Sequence, residues 1–418
     1  MNVPSLRETL PAFARIGVLS FGGPAAQIAL MHRELVEARP WLSEKRFLDA
    51  LSFCMLLPGP EAMQLATYAG WRLHGVRGGL AAGLLFVLPG AALMVVLAAL
   101  YLAYGDMPFV AALFLGVKAA VLAIVVEALL RVGRRTLAGR EHWLIAGSAF
   151  VALFFLDLPY PLVVATAALW GFARAGPAEA DVAVSVRLRD TARTVAIWLA
   201  VWLLPLGALA LAAPDTVLDE IARFFSVLAT LTFGGAYAVL AYMAQDAVEA
   251  YGWLSAREMV DGLGLAETTP GPLILVTAFV GFLAAARDGG GVLWGAAGAL
   301  VTLWATFAPC FLWIFAGAPY IDWLQSRPRL RAALAAVTAA VVGVIANLSL
   351  WFALHVLFDR VEPRSLGPLR LWTPDPATLD WRATFVAAVA GVMLLALHQG
   401  LARVLALSAL LGLALTAL

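Results

Sequence analysis

The sequence predicts an all-α polytopic membrane protein: an inverted-topology repeat of two helical halves, with broken or re-entrant helices at Gly-Gly and Pro-Gly-Pro motifs. Three observations predict it. The 418 residues are 63% hydrophobic and only 13% charged, with a mean hydropathy of +0.89. A soluble domain carries about 25% charged residues, so most of this chain's surface has to face lipid. Apolar stretches of about 20 residues recur along the whole length, as spanning helices require. Finally, a glycine–proline cassette occurs twice, 212 residues apart. The first copy runs from Ser20-Phe21-Gly22-Gly23 to Pro58-Gly59-Pro60, the second from Thr232-Phe233-Gly234-Gly235 to Pro270-Gly271-Pro272. Seventeen of the 41 aligned residues are identical without a gap, among them Trp41-Leu42-Ser43 with Trp253-Leu254-Ser255 and Asp49 with Asp261.

Taken in order, the expected spans are 78–104, 109–130, 141–156, 160–173, 194–213, 292–317, 332–356, 381–397 and 401–418. Shorter helical pieces flank the cassettes at 6–20, 24–38, 44–57 and 61–73, then at 217–232, 236–250, 256–268 and 272–286. At 14 or 15 residues several of these are too short to cross about 30 Å of hydrocarbon, so they read as half-helices or re-entrant hairpins. Ser43 and Ser255 are placed to N-cap the helix that leads to each Pro-Gly-Pro, and proline breaks the chain there. Beyond the cassettes the repeat continues at an offset of 220, pairing Pro89 with Pro309 and Pro108 with Pro328. An eight-residue insertion near Arg287–Gly291 accounts for the change. The domain division is 1–173 (first repeat), 174–213 (linker and connecting helix) and 214–418 (second repeat).

Arginine placement sets the topology. Arg72 and Arg77, then Arg131, Arg134, Arg135 and Arg140, then Arg174, Arg187, Arg189 and Arg193 mark three cytoplasmic loops. The acidic stretch Asp215 to Glu220 is external, and 357–380 reads as an external loop. The second half thus starts outside and the first inside, with the N-terminus cytoplasmic. A parallel duplication with accidental charge bias is the alternative. Nothing resembles a nucleic-acid face, a cleavable signal or a metal-ligand cluster, and no catalytic set or cofactor motif is seen. Cys54 and Cys310 read as buried small hydrophobes.

Non-helical backbone survives at membrane depth only inside protein or beside a water-filled cavity, so the breaks should face inward. Each exposes a helix N-terminus with free N–H groups and a positive dipole end, a ready-made anion site. Tight helix packing is the plainer explanation for one break; two matched pairs favour a binding site at the repeat interface. Gln64, Thr268 and Thr269 add neutral hydrogen-bonding groups beside the breaks. Lys118 lies mid-span, where a charge costs about 2.5–3.5 kcal/mol; it is either a counter-ion for a bound anion or the partner of a carboxylate on another helix. Glu127 pairs with Arg131 one turn away. Glu61, in a first helical turn, and Glu267, at the unfavourable C-terminal end of a helix, are the candidate titratable groups. Glu34 and Glu37 share a helix face, where interfacial solvation or a salt bridge with Arg33 is expected.

These residues resemble the chromate ion transporter family in its long, two-domain form. The resemblance is carried by Phe21-Gly22-Gly23-Pro24, Leu57-Pro58-Gly59-Pro60-Glu61-Ala62-Met63-Gln64, Gly70-Trp71-Arg72-Leu73-His74-Gly75, Phe233-Gly234-Gly235 and Glu267-Thr268-Thr269-Pro270-Gly271-Pro272. It implies chromate efflux across a bacterial inner membrane, with sulfate as a structural mimic. The expected substrate-binding set is Phe21, Gly22, Gly23, Pro58, Gly59, Pro60, Gln64 and Lys118, with Phe233, Gly234, Gly235, Thr268, Thr269, Pro270, Gly271 and Pro272. The expected partners are a small inorganic anion and the lipid bilayer, with no nucleic acid; a homodimer is left open.

Overall fold

The computed structural model describes residues 4–176, 188–233, 236–325 and 327–417. Gly234 and Gly235 lie outside them, as does the linker at 177–187. Along the chain the α-helices are α1 (Leu6–Leu19), α2 (Gly23–His32), α3 (Glu44–Cys54), α4 (Glu61–Tyr104), α5 (Pro108–Thr136), α6 (Arg140–Phe154), α7 (Tyr160–Arg174), α8 (Leu188–Ala212) and α9 (Val217–Leu231). They continue as α10 (Ala236–Gln245), α11 (Ala256–Thr268), α12 (Val276–Ala285), α13 (Gly291–Gly317), α14 (Ile321–Gln325), α15 (Pro328–Leu357), α16 (Trp381–Gly391) and α17 (Leu401–Ala417). α5, α8 and α15 are long and apolar enough to cross a membrane. With the stretches containing α4 and α13, they make a multi-pass α-helical membrane protein.

The chain divides into two compact units, and each draws on both halves of the sequence. The first comprises Met1–Ala99, Pro177–Ala236 and Thr269–Pro328; the second comprises Leu100–Gly176, Tyr237–Thr268 and Arg329–Leu418.

In the first unit, α4 is two helices joined by a reversal. His74 leaves helical geometry and Gly75 adopts φ 62°, ψ −154°. The arm before the reversal, 61–73, is about 20 Å long at 1.5 Å per residue, short of a membrane thickness. Gly70 and Gly78 let the two arms touch backbone to backbone, since a Cβ on either would strike the other's carbonyl oxygen. The second half repeats this device in α12 and α13. There Gly291 has φ 59°, ψ −154°, and Gly281 packs against Gly298. The matched turn glycines, Gly75 and Gly291, are offset by 216, midway between 212 and 220. The expected eight-residue insertion is therefore not confined to the loop: it adds about one helical turn to each arm and leaves the turn where it was. α13 packs on α8, α9 and α12. α8 fully buries Trp202, against Ala308 and Leu312, and packs Val195, Trp198, Leu199 and Leu206 on the same cluster, while its opposite face is exposed and apolar, as on a lipid-facing span.

In the second unit, α5 is the central helix, with α11, α16 and α17 packed on it. Ala120, Ala123 and Ile124 of α5 meet Ala390, Val404 and Leu405. Gly116 sits directly against the Ser408 carbonyl, where no Cβ fits. We predict that Gly116→Val costs about 1–3 kcal/mol through overpacking, read as a lowered unfolding temperature in detergent; an unchanged value would show that α17 can move aside.

The 357–380 segment, expected as an external loop, contains a β-hairpin. β1 (Val361–Leu366) pairs antiparallel with β2 (Leu369–Pro374), and Gly367 supplies the positive φ that a two-residue hairpin turn uses. Arg370 of β2 bonds Asp157 at 3.0 Å and Glu249 at 2.6 Å and stacks 4.6 Å over Trp372.

Candidate functional site

The helix that ends at each cassette ends in the same way. Ser20 (φ −78°, ψ 68°) follows α1 and Thr232 (φ −73°, ψ 65°) follows α9. These are inverse γ-turn values, and the next amide bonds back two residues, Phe21 to Leu19 at 2.9 Å and Phe233 to Leu231 at 2.8 Å. Each hydroxyl is spent on the preceding turn, Ser20 Oγ on Ile16 at 2.6 Å and Thr232 Oγ1 on Leu228 at 2.7 Å. The tight turn swings the Ser20 and Thr232 carbonyls out of the helix line, where each meets the other repeat's proline turn.

The amide of Gly59 donates to the Thr232 carbonyl at 2.8 Å, and the amide of Gly271 donates to the Ser20 carbonyl at 2.8 Å. Both pairs are equivalent at the 212-residue offset, so the repeats exchange one contact with themselves, as an isologous interface does. The amides of Gly59 and Gly271, two of the backbone N–H groups at the breaks, are thus paired with carbonyls of the partner repeat. The physical reason is that a buried N–H must find an acceptor, and here the partner repeat provides it. What remains for a ligand is the first-turn amides of the following helices, which have no intrahelical acceptor.

Both Pro-Gly-Pro turns are buried and closely packed. Gly59 has φ +116°, and a Cβ there would lie 2.7 Å from Gln64 Nε2 and 2.9 Å from Cys310 Sγ. Gly271 has φ +92°, with Leu275 at 2.9 Å from its would-be Cβ, while Gly90 abuts the Pro270 carbonyl. Cys310 and Gly90 are themselves equivalent at offset 220, so each turn is backed by the same position of the opposite repeat. The first break is more open: Gly22 (φ +85°), Gly23 (φ +76°) and Pro24 are half-buried and Phe21 is 47% exposed.

Two glutamines hold this arrangement. Gln27 on α2, fully buried, donates through Nε2 to the Gly271 carbonyl at 2.7 Å and the Ser20 carbonyl at 3.3 Å. Gln64 on α4 donates to the Pro58 carbonyl at 2.6 Å and is likewise buried. Sequence reasoning picked out Gln64 and missed Gln27, because the repeat partner of Gln27 is Val239 and the symmetry argument passed over it. Its only signal is a glutamine on a predominantly apolar helix. Three bonds thus tie the two repeats at the turns. At about 0.5–1.5 kcal/mol each they total a few kcal/mol.

Thr269 is buried beside Pro270, whereas Thr268, which belongs to the second unit, is exposed. Glu61 begins α4 and is half-buried. In the second unit Lys118 lies 3.7 Å from Asp261, whose other carboxylate oxygen accepts from Tyr101 at 2.8 Å; the carboxylate-partner alternative for Lys118 thus has a named residue. Glu267, buried, accepts from Tyr237 at 2.9 Å. Glu127 pairs with Arg131 as expected, and Ser43 and Ser255 cap their helices. Glu34 pairs with Arg39 and Arg15, and Glu37 with His32, so Arg33 is not the partner expected for either. Cys54 and Cys310 are buried and unbridged.

Helices interrupted by paired, interlocked glycine–proline turns define a class: polytopic membrane proteins built from two copies of a broken-helix cassette. Sequence comparison narrows the class. The chromate transporter family model matches residues 8–172 and again 220–413. The chain is 31% identical to a probable chromate transport protein of Synechococcus elongatus over 392 residues, covering 93% of this chain and 95% of that protein. It is 35% identical to a chromate transport protein of Pseudomonas aeruginosa over 383 residues (88% and 85%). A chromate transport protein of Cupriavidus metallidurans is 29% identical over 359 residues (85% and 84%). No solved structure shows significant similarity. The chain belongs to the chromate transporter family.

Proposed function

We propose that this protein is a secondary transporter that exports a tetrahedral oxyanion, chromate, across a bacterial inner membrane. The observation that carries the reading is the reciprocal lock between Gly59 and Thr232 and between Gly271 and Ser20. Each lock brings unwound backbone of one repeat against a buried proline turn of the other, and an oxyanion could take over the amides that the carbonyls now hold. The names of the relatives supply the cargo. The arginine pattern supports an inverted pair of repeats with a cytoplasmic N-terminus.

Each negative charge moved outward against an inside-negative potential releases about 2.3 kcal/mol per 100 mV, so export of an oxyanion, singly or doubly charged, needs neither nucleotide nor proton coupling. The carboxyl groups able to carry a coupled proton are Glu61 and Glu267, the latter in contact with the Tyr237 hydroxyl. Lys118, paired with Asp261 in the second unit, is a separate candidate for a counter-charge. Sulfate, with the same charge and shape, is the second reading of the cargo. Labelled chromate flux in everted vesicles, with and without an imposed potential, tests the proposal: accumulation that grows with an outward-driving potential is expected, and flux indifferent to the protein's presence would reject it.

A further inference from the structure

The glutamines that hold the two proline turns each leave one atom unused. Gln27 and Gln64 are 1% and 0% exposed. The Nε2 of each is fixed on backbone carbonyls, which cannot accept from an oxygen, so the amide orientation is set by its partners. The side-chain oxygen Oε1 is therefore turned away from those carbonyls, and in both residues it has no hydrogen-bond donor among the described residues. Buried polar atoms are rarely left so, and here the same omission occurs at both equivalent turns.

A carbonyl oxygen is an acceptor only. A fully ionised oxyanion is also an acceptor only, and beside either Oε1 it would be repelled. An oxyanion that retains one proton carries an O–H donor that matches the missing partner. Resting on the reading that the anion sits at these turns, we infer that the site takes the singly protonated form of a tetrahedral oxyanion, with Gln27 or Gln64 accepting its O–H. One O–H satisfies one of the two oxygens at a time. Chromate holds such a proton in part near neutral pH and phosphate always does, whereas sulfate does not. A site built to pair a substrate hydroxyl rejects analogues lacking it strongly, by up to about 10⁴-fold. The glutamines thus separate chromate from sulfate, which charge and shape alone do not. The titratable groups near the pair are Cys310, which meets Gly59 beside Gln64, and Glu61, one turn before Gln64. Glu34, on the chain segment after Gln27, is held by Arg39 and Arg15.

The test is competition against labelled chromate flux in vesicles carrying the wild-type protein. Inorganic phosphate is expected to inhibit and sulfate to fail at concentrations at least about tenfold higher. Chromate flux is expected to rise from mildly alkaline to mildly acidic pH in step with the protonated fraction. Gln27→Met with Gln64→Met should flatten the selectivity, making sulfate an inhibitor, while Gln27→Asn should retain part of it. Equal inhibition by sulfate and phosphate of the wild-type protein overturns the inference, and this arm needs no variant to fold. The site reading fails separately: Gly59→Leu and Gly271→Leu that both export normally remove the site itself. Loss of flux in those variants together with equal sulfate inhibition in the wild type overturns only the protonated-substrate claim.

Discussion

Replacing Gly271 by leucine, or Gly59 by leucine, is expected to abolish oxyanion export while leaving the protein expressed in the membrane. Both glycines have φ values open to few other residues, +92° and +116°. A left-handed backbone alone costs an L-residue about 1–2 kcal/mol. The side chain adds a second conflict. At Gly59 it displaces Gln64 and Cys310, and at Gly271 it drives into Leu275 with the Phe86 carbonyl behind. Overpacking of this kind typically costs about 1–3 kcal/mol, which falls on the turn rather than on the helices around it. The loss is therefore local: the turn shifts, the amide leaves the Ser20 or Thr232 carbonyl, and the paired break loses its geometry. The check is chromate flux normalised to folded protein, by fluorescence-detected size exclusion in detergent. Normal export by both variants would show that these turns serve packing alone. Alanine should be milder at Gly271, where the nearest group is the end of the flexible Leu275 side chain, than the leucine variant at the same position.

How much of this could be read from the sequence depends on what symmetry reaches. The helix breaks, their capping serines and the short pieces around them followed from Gly, Pro and Ser at matched positions, because backbone conformation is a local property of those residues. The 212-residue offset also marked Ser20 with Thr232 and Gly59 with Gly271 as equivalents. It did not say that these pairs bond crosswise, because equivalence in sequence does not specify contact in space. Asymmetric features were harder. Gln27 stands opposite Val239 and drew no notice, and Cys310, opposite Gly90, read only as a buried small hydrophobe, yet both touch the turns. The β-hairpin at 361–374 was hidden by Pro363, Pro368 and Pro374, which punctuate it as they would a loop. Lys118 was recognised by its cost in the membrane, but its partner Asp261 was noted only as the repeat equivalent of Asp49, because repeat counting cannot assign a buried contact.

That pair gives the second large effect. Asp261→Asn is expected to destabilise the second unit by about 3–5 kcal/mol, because it leaves Lys118 buried without its counter-charge. The side chains of Lys118 and Asp261 are 15% and 3% exposed, and α11 comes close enough to α5 for the contact because Gly264 lies against Val117. Lys118→Met should cost a similar amount by stranding the carboxylate, which then keeps the Tyr101 hydroxyl as a neutral donor. Tyr101→Phe should cost about 1 kcal/mol, one hydrogen bond to a group that stays paired. The decisive variant is the double one. Lys118→Met with Asp261→Leu removes both charges together, and a buried ion pair exchanged for apolar side chains is often neutral or stabilising. A purely structural pair therefore predicts two unstable single variants and a double variant that melts like the wild type and exports like it. If Lys118 also meets the substrate, the double variant melts normally but loses affinity for chromate. Thermal unfolding in detergent and the KM for flux read these two outcomes independently. Single variants that melt like the wild type would show that the ammonium and carboxylate reach water, and that burial of the pair does not govern this unit.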